Sequence, residues 1–150
     1  MTLIQKSPEV FLAEGPISAV GRTEIDTLKS AVKASPKGRA RINAHSDGDD
    51  TLHEMIIAID ASSYIRPHKH LGKSEAFHIV EGEVDIIVFR DDGEIDRIVE
   101  LGPPSGDRSR TISSNGSQGW VEEPAMLRKN EASGRITRRS ASATCIIQAR

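Results

Sequence analysis

Cysteine is almost missing from this chain of 150 residues, with Cys145 standing alone. No internal disulfide can form and no cysteine-rich zinc site can be built. As a nucleophile Cys145 has little support, since the stretch from Ala143 to Ile147 reads as a buried strand. Aromatic side chains make up 3% (Phe11, Tyr64, Phe77, Phe89 and Trp120), so a core must rest on Ile, Val and Leu. No apolar stretch is long enough to span a bilayer. The segment from Met1 to Pro8 has neither a charged region leading into a long apolar run nor a small-residue cleavage site. A soluble, cytoplasmic protein without a membrane partner is therefore expected. Charge of one sign is lacking too: the formal net charge is -2, which gives no electrostatic reason to expect nucleic acid. The local cluster Lys37, Arg39 and Arg41 has no aromatic partners and is read as a solvated loop rather than an anion site.

What the chain does have is local pattern. Val10 to Ala13 is a short apolar patch closed by Gly15 and Pro16, and its sequence is compatible with either a strand or a loose arm. Thr23 is placed to cap a helix whose first turn carries Glu24 and Asp26, where the helix macrodipole favours acids. Ile25, Leu28 and Val32 follow at helical spacing, and Ser35 to Gly38 ends the run, predicting one amphipathic helix at about residues 23 to 34. Arg39 to Asn43 reads as a strand entering the acidic stretch from Ser46 to Asp50. That stretch lacks the remaining ligands of a calcium loop and reads as a solvated turn. Glu54 to Asp60 is a nearly unbroken apolar strand, as expected when both faces of a strand are buried. Val84 to Phe89 and Ile95 to Leu101 are predicted strands around Asp91 to Glu94, an Asp-Gly hairpin signal. Short strands, tight turns and a single preceding helix predict a mainly β protein, a small antiparallel barrel or jelly roll.

The stretch from Tyr64 to Gly82 organises the whole. His68 and His70 stand one residue apart, and Glu75 and Gly82 follow. Strand alternation turns an H-x-H pair to one side, and a strand returning after Leu71 to Lys73 presents Glu75 to the same space. Two histidines and a carboxylate suit a non-haem iron, manganese, nickel or zinc ion. If Glu75 faces inward, so do Phe77 and Ile79, leaving His78 outward. Tyr64 and Arg66 flank the site and, with His78, are candidate contacts for a polar or anionic ligand. His45 and His53 read as surface or hydrogen-bonded residues.

This stretch matches the first motif of the cupins, a glycine-bounded H-x-H followed by Glu and Gly. From Arg39 through Gly102 the chain resembles the WbuC-type cupin-fold metalloproteins, small bacterial proteins found with genes for lipopolysaccharide O-antigen synthesis. The resemblance implies a cupin-like antiparallel barrel, one divalent metal ion on His68, His70 and Glu75, and a role in lipopolysaccharide or other surface-polysaccharide synthesis. The implied small-molecule partner is a sugar or sugar nucleotide, modified by the protein if it is an enzyme. The alternative is a non-catalytic ligand-binding or regulatory module. If the chain associates, a homodimer is the expected state.

After Gly106 the resemblance fails. In cupins a second motif supplies a further histidine, but no histidine follows His78 here, and the corresponding position is Ser109. Water, or else His45 or His53, is then expected at the fourth coordination position. The chain divides accordingly into an N-terminal arm and helix (1–38), a barrel core (39–106) and an atypical Ser/Arg-rich segment (107–150). Two readings of that last segment stay open. It is a diverged tail supplying edge strands, with Cys145 to Ile147 the best candidate, or a mostly disordered tail left by an altered coding sequence. The sparse periodicity favours the second and an incomplete barrel.

Overall fold

The computed structural model describes residues 1–45, 47–68 and 74–105, together with the backbone of four strands beyond them. Strand β1 (Thr2–Ser7) and strand β2 (Val10–Glu14) form an antiparallel hairpin. Helix α1 (Arg22–Ala34) follows, then β3 (Arg39–Asn43), β4 (His53–Ile59), β5 (Glu75–Glu81), β6 (Val84–Phe89) and β7 (Ile95–Leu101). The remaining strands are β8 (Ile112–Ser113), β9 (Leu127–Lys129), β10 (Ile136–Arg138) and β11 (Ala143–Ala149). A seven-stranded sheet runs in the order β1-β2-β3-β4-β11-β5-β8, while β6-β7 and β9-β10 are separate two-stranded ribbons. The expected mainly β architecture with one N-terminal helix is what the described residues adopt.

The apolar patch at Val10 is a strand, and it pairs in parallel with β3, so the N-terminal arm is continuous with the main sheet. The helix bounds agree with the hydrophobic spacing, but the cap differs from expectation. Gly21 occupies the N-cap, and the carboxylate of Glu24 accepts its backbone N–H at 2.9 Å. Thr23 lies inside the first turn, where its carbonyl accepts the Thr27 hydroxyl. The Glu24 side chain thus satisfies an otherwise orphaned N–H at the start of the helix.

Both faces of β4 are covered, as its apolar sequence predicted. On one face Ile56 and Ala58 pack with Ala40, Ile42 and Phe11 beneath Leu28 and Val32 of α1. On the other, Ile59 joins Phe77, Ile79, Val84, Ile86 and Leu101, with Ile57 and Met55 packed against them. The sheet is therefore a shared wall between a helix-covered layer and the interior closed by the β6-β7 hairpin. That hairpin has the predicted bounds. Gly93 adopts φ +87, and its N–H donates to the Arg90 carbonyl at 2.9 Å, a left-handed turn geometry that glycine takes without strain. Asp47, Asp49 and Asp50 are exposed, as a solvated turn requires.

One expectation is corrected. The Cys145 to Ile147 stretch is not at an edge: β11 lies between β4 and β5 and pairs antiparallel with both. A run of apolar and β-branched residues suits an interior strand, whose two flanks are both hydrogen-bonded. The reading of residues 107–150 as mostly disordered fails for Ala143–Ala149. Ser109 lies outside the described residues, as does the side chain of Cys145.

Candidate metal centre and ligand cavity

Glu75 opens β5 and is 8% exposed. Along β5, Glu75, Phe77 and Ile79 are buried, whereas His78 and Val80 are exposed. The alternation predicted from the motif is thus present, and His78 stands on the opposite face from Glu75. Strand register places His53 and Glu75 on one row of the sheet, two strands apart, with Ala149 between them. A buried carboxylate is costly unless paired or bound, and Glu75 is engaged in an interaction in the structure.

His68 arrives from the segment that follows β4. Its Nδ1 lies 2.9 Å from the carbonyl oxygen of Arg66. A carbonyl can only accept, so Nδ1 is the donor in that contact. This is the arrangement in which a second partner orients a metal-ligating imidazole. His70 and residues 71–73, the turn expected to bring Glu75 back to the histidines, lie outside the described residues. Tyr64 is 57% exposed and Arg66 is also exposed, and both contribute backbone rather than side-chain contacts. The Tyr64 carbonyl accepts Arg39 at 3.4 Å.

His45 and His53 stack on one another, and His45 Nδ1 lies 3.1 Å from the Glu54 carbonyl. Among the described residues no group of three His, Cys, Asp or Glu side chains converges to hold a metal. His45 and His53 therefore do not complete a cluster with Glu75.

Next to His68 the structure opens a cavity of about 370 Å³. Its floor is Ile57, Ile59 and Ile65, and Arg39 and Arg41 stand over it. The register explains why: Arg39 is opposite Ile59 and Arg41 opposite Ile57 on adjacent strands. At the rim, Lys37 and Ser35 each donate to the Glu9 carboxylate at 3.0 Å. The Lys37 hydrogen bond, helped by that of Ser35, holds the Glu9 carboxyl below its ordinary value. Lys37 and Arg41 are exposed, as a solvated cluster requires, but Arg39 and Arg41 belong to β3 rather than to a loop. The alternation Arg39, Ala40, Arg41, Ile42 puts both arginines on the face away from the helix.

Comparison with known proteins agrees with this architecture. A family described as "Domain of unknown function (DUF6016)" matches residues 20–101, from the start of α1 to the end of β7. The chain belongs to that family. No curated protein sequence matches it. Among solved structures, the TT1209 protein from Thermus thermophilus is similar at 13% identity and a TM-score of 0.50, over 77% of this chain and 85% of that one. A sugar phosphate isomerase of the cupin superfamily from Silicibacter pomeroyi is similar at 15% identity and a TM-score of 0.47, over 81% of this chain and 63% of the isomerase. The Cupin_2 domain of an XRE family transcriptional regulator from Enterobacter cloacae shares 15% identity over 74% of this chain and 94% of that domain, with a TM-score of 0.42. Identities of this size speak to the fold alone.

Proposed function

We propose that this chain is a metal-binding, cupin-type protein acting on a small molecule, with His68, His70 and Glu75 as ligands to one divalent ion. The observation that carries the reading is the His68 imidazole, oriented at Nδ1 by the Arg66 carbonyl and placed in the lining of the cavity. Buried Glu75 on the interior side of β5 adds a carboxylate of the hard donor type that such ions accept. When bound, the ion would act as a Lewis acid toward a carbonyl or hydroxyl oxygen, or activate oxygen if it is iron. The residues of the chain would seat and orient the ligand: the isoleucine floor excludes water, and the arginines above it select polar groups. In line with the WbuC-type resemblance, the ligand is a sugar or sugar nucleotide of lipopolysaccharide or other surface-polysaccharide synthesis.

The second reading is a non-catalytic binding or regulatory module. It is favoured by how few acid–base groups line the cavity. Among the described residues these are His68, Lys37 and Glu9, and Lys37 and Glu9 are committed to one another. Metal analysis of purified protein tests the first step. Wild type should carry about one equivalent, and the His68→Ala/His70→Ala double variant should lose at least tenfold in affinity. Equal metal in both ends the assignment. Screening the metal-loaded protein against nucleotide sugars, for turnover and for binding, separates the two readings, since binding without turnover under every metal favours the module.

A further inference from the structure

We propose that the cavity between β3, β4 and the segment leading to His68 is an anion pocket. Its ligand would be a small organic anion whose carboxylate or phosphoryl group sits on Arg39 and Arg41 while its body rests on Ile57, Ile59 and Ile65. This names the ligand class for the small-molecule reading above and rests on it.

The charge inventory of the cavity carries the inference. Lys37 is matched by Glu9, which it contacts at 3.0 Å. The two guanidiniums are not matched in this way: among the described residues Arg41 has no ion-pair partner, and Arg39 reaches the Tyr64 carbonyl and acts on the Glu9 carboxylate less strongly than Lys37 does. Arginines two residues apart on one strand stand roughly 7 Å from each other on the same face. That spacing lets two planar forks converge on one anionic group from either side, the geometry in which guanidinium groups bind carboxylate and phosphate. Beside them the cross-strand partners Ile57 and Ile59 form the apolar floor of the cavity. A cation pair merely solvated by water has no use for such a floor, whereas a ligand with a charged head and a less polar body matches both parts. The volume of about 370 Å³ suits a small metabolite.

Calorimetric titration of the full chain at low ionic strength tests this with inorganic phosphate, glucose 1-phosphate, pentanoate and uncharged glucose. At least one anion should bind saturably and glucose should not. Which anions bind identifies the head group as phosphoryl or carboxylate. Arg39→Gln/Arg41→Gln should weaken binding at least tenfold, since each lost contact is a charge-assisted hydrogen bond. Lys6→Gln, at an exposed position outside the cavity lining, should change it less than threefold. Should the double variant fail to fold, Arg41→Gln alone decides, with a loss of several-fold expected. Saturation by no anion, equal binding of glucose, or unchanged affinity in the arginine variants overturns the proposal. Metal content is read in parallel and should not change in the arginine variants. Anion binding that survives in a protein shown to hold no metal sinks the metal assignment and leaves the pocket standing.

Discussion

The imidazoles of His45 and His53 lie face to face, with ring centroids 4.6 Å apart and planes 11° from parallel. The stack joins the residue that leaves β3 to the one that opens β4, where the two strands diverge around the acidic turn. Aromatic pairs of this kind contribute about 0.5–1.5 kcal/mol beyond the area they bury. A double-mutant cycle with His45→Ala and His53→Ala should return a coupling energy in that range by urea denaturation. A coupling indistinguishable from zero would show that the stack holds nothing together.

Leu28 is fully buried on the sheet-facing side of α1, in one cluster with Ile42 and Ile56. Leu28→Ala should destabilise the protein by about 2–5 kcal/mol, through lost transfer free energy and the cavity left behind. Chemical denaturation measures it. A cost under about 1 kcal/mol would mean that α1 is not docked on the sheet as described.

Glu81 ties the end of β5 to α1 through a hydrogen bond from Lys29, with Arg22 at 3.8 Å. The Lys29 contact holds the Glu81 carboxyl below its ordinary value. A carboxylate whose native value is depressed stabilises the fold fully above its unfolded value, near pH 4.3, and loses that contribution as pH falls through the native value. Wild type should therefore exceed Glu81→Gln in stability by up to about 1 kcal/mol at pH 7, the pair being largely solvated. The gap should shrink as pH falls below the unfolded value. A gap of unchanged size from pH 7 to pH 3 would assign the difference to packing instead.

Amides of β11 should exchange with solvent as slowly as those of β4, because β11 is hydrogen-bonded on both flanks. Hydrogen exchange read by mass spectrometry over Ala143–Ala149 checks this. Rapid exchange there would return the segment to the disordered reading.

What the sequence revealed was local. The β6-β7 hairpin was readable to the residue because Asp92-Gly93 and the apolar runs around it act over a few positions. The inward set Glu75, Phe77 and Ile79 followed from a period of two. The cap at Gly21 was not readable, because an ordinary glycine becomes a cap only through the reach of Glu24. Nor was the arginine cavity, since Arg39 and Arg41 gain meaning only when Ile57 and Ile59 lie beside them. The place of β11 escaped for the same reason on a larger scale: nothing near Cys145 says which strands will flank it.

That placement bears on how the chain is made. On the ribosome β4 and β5 emerge long before β11, and each must wait with one flank of N–H and C=O groups unpaired. Such edges recruit other strands, and contacts between distant parts of a chain form slowly. A pause in translation, or a nascent chain arrested before Ala143, would leave the middle of the sheet open as a slot. Completion of the main sheet therefore waits on β11, which closes that slot from both sides.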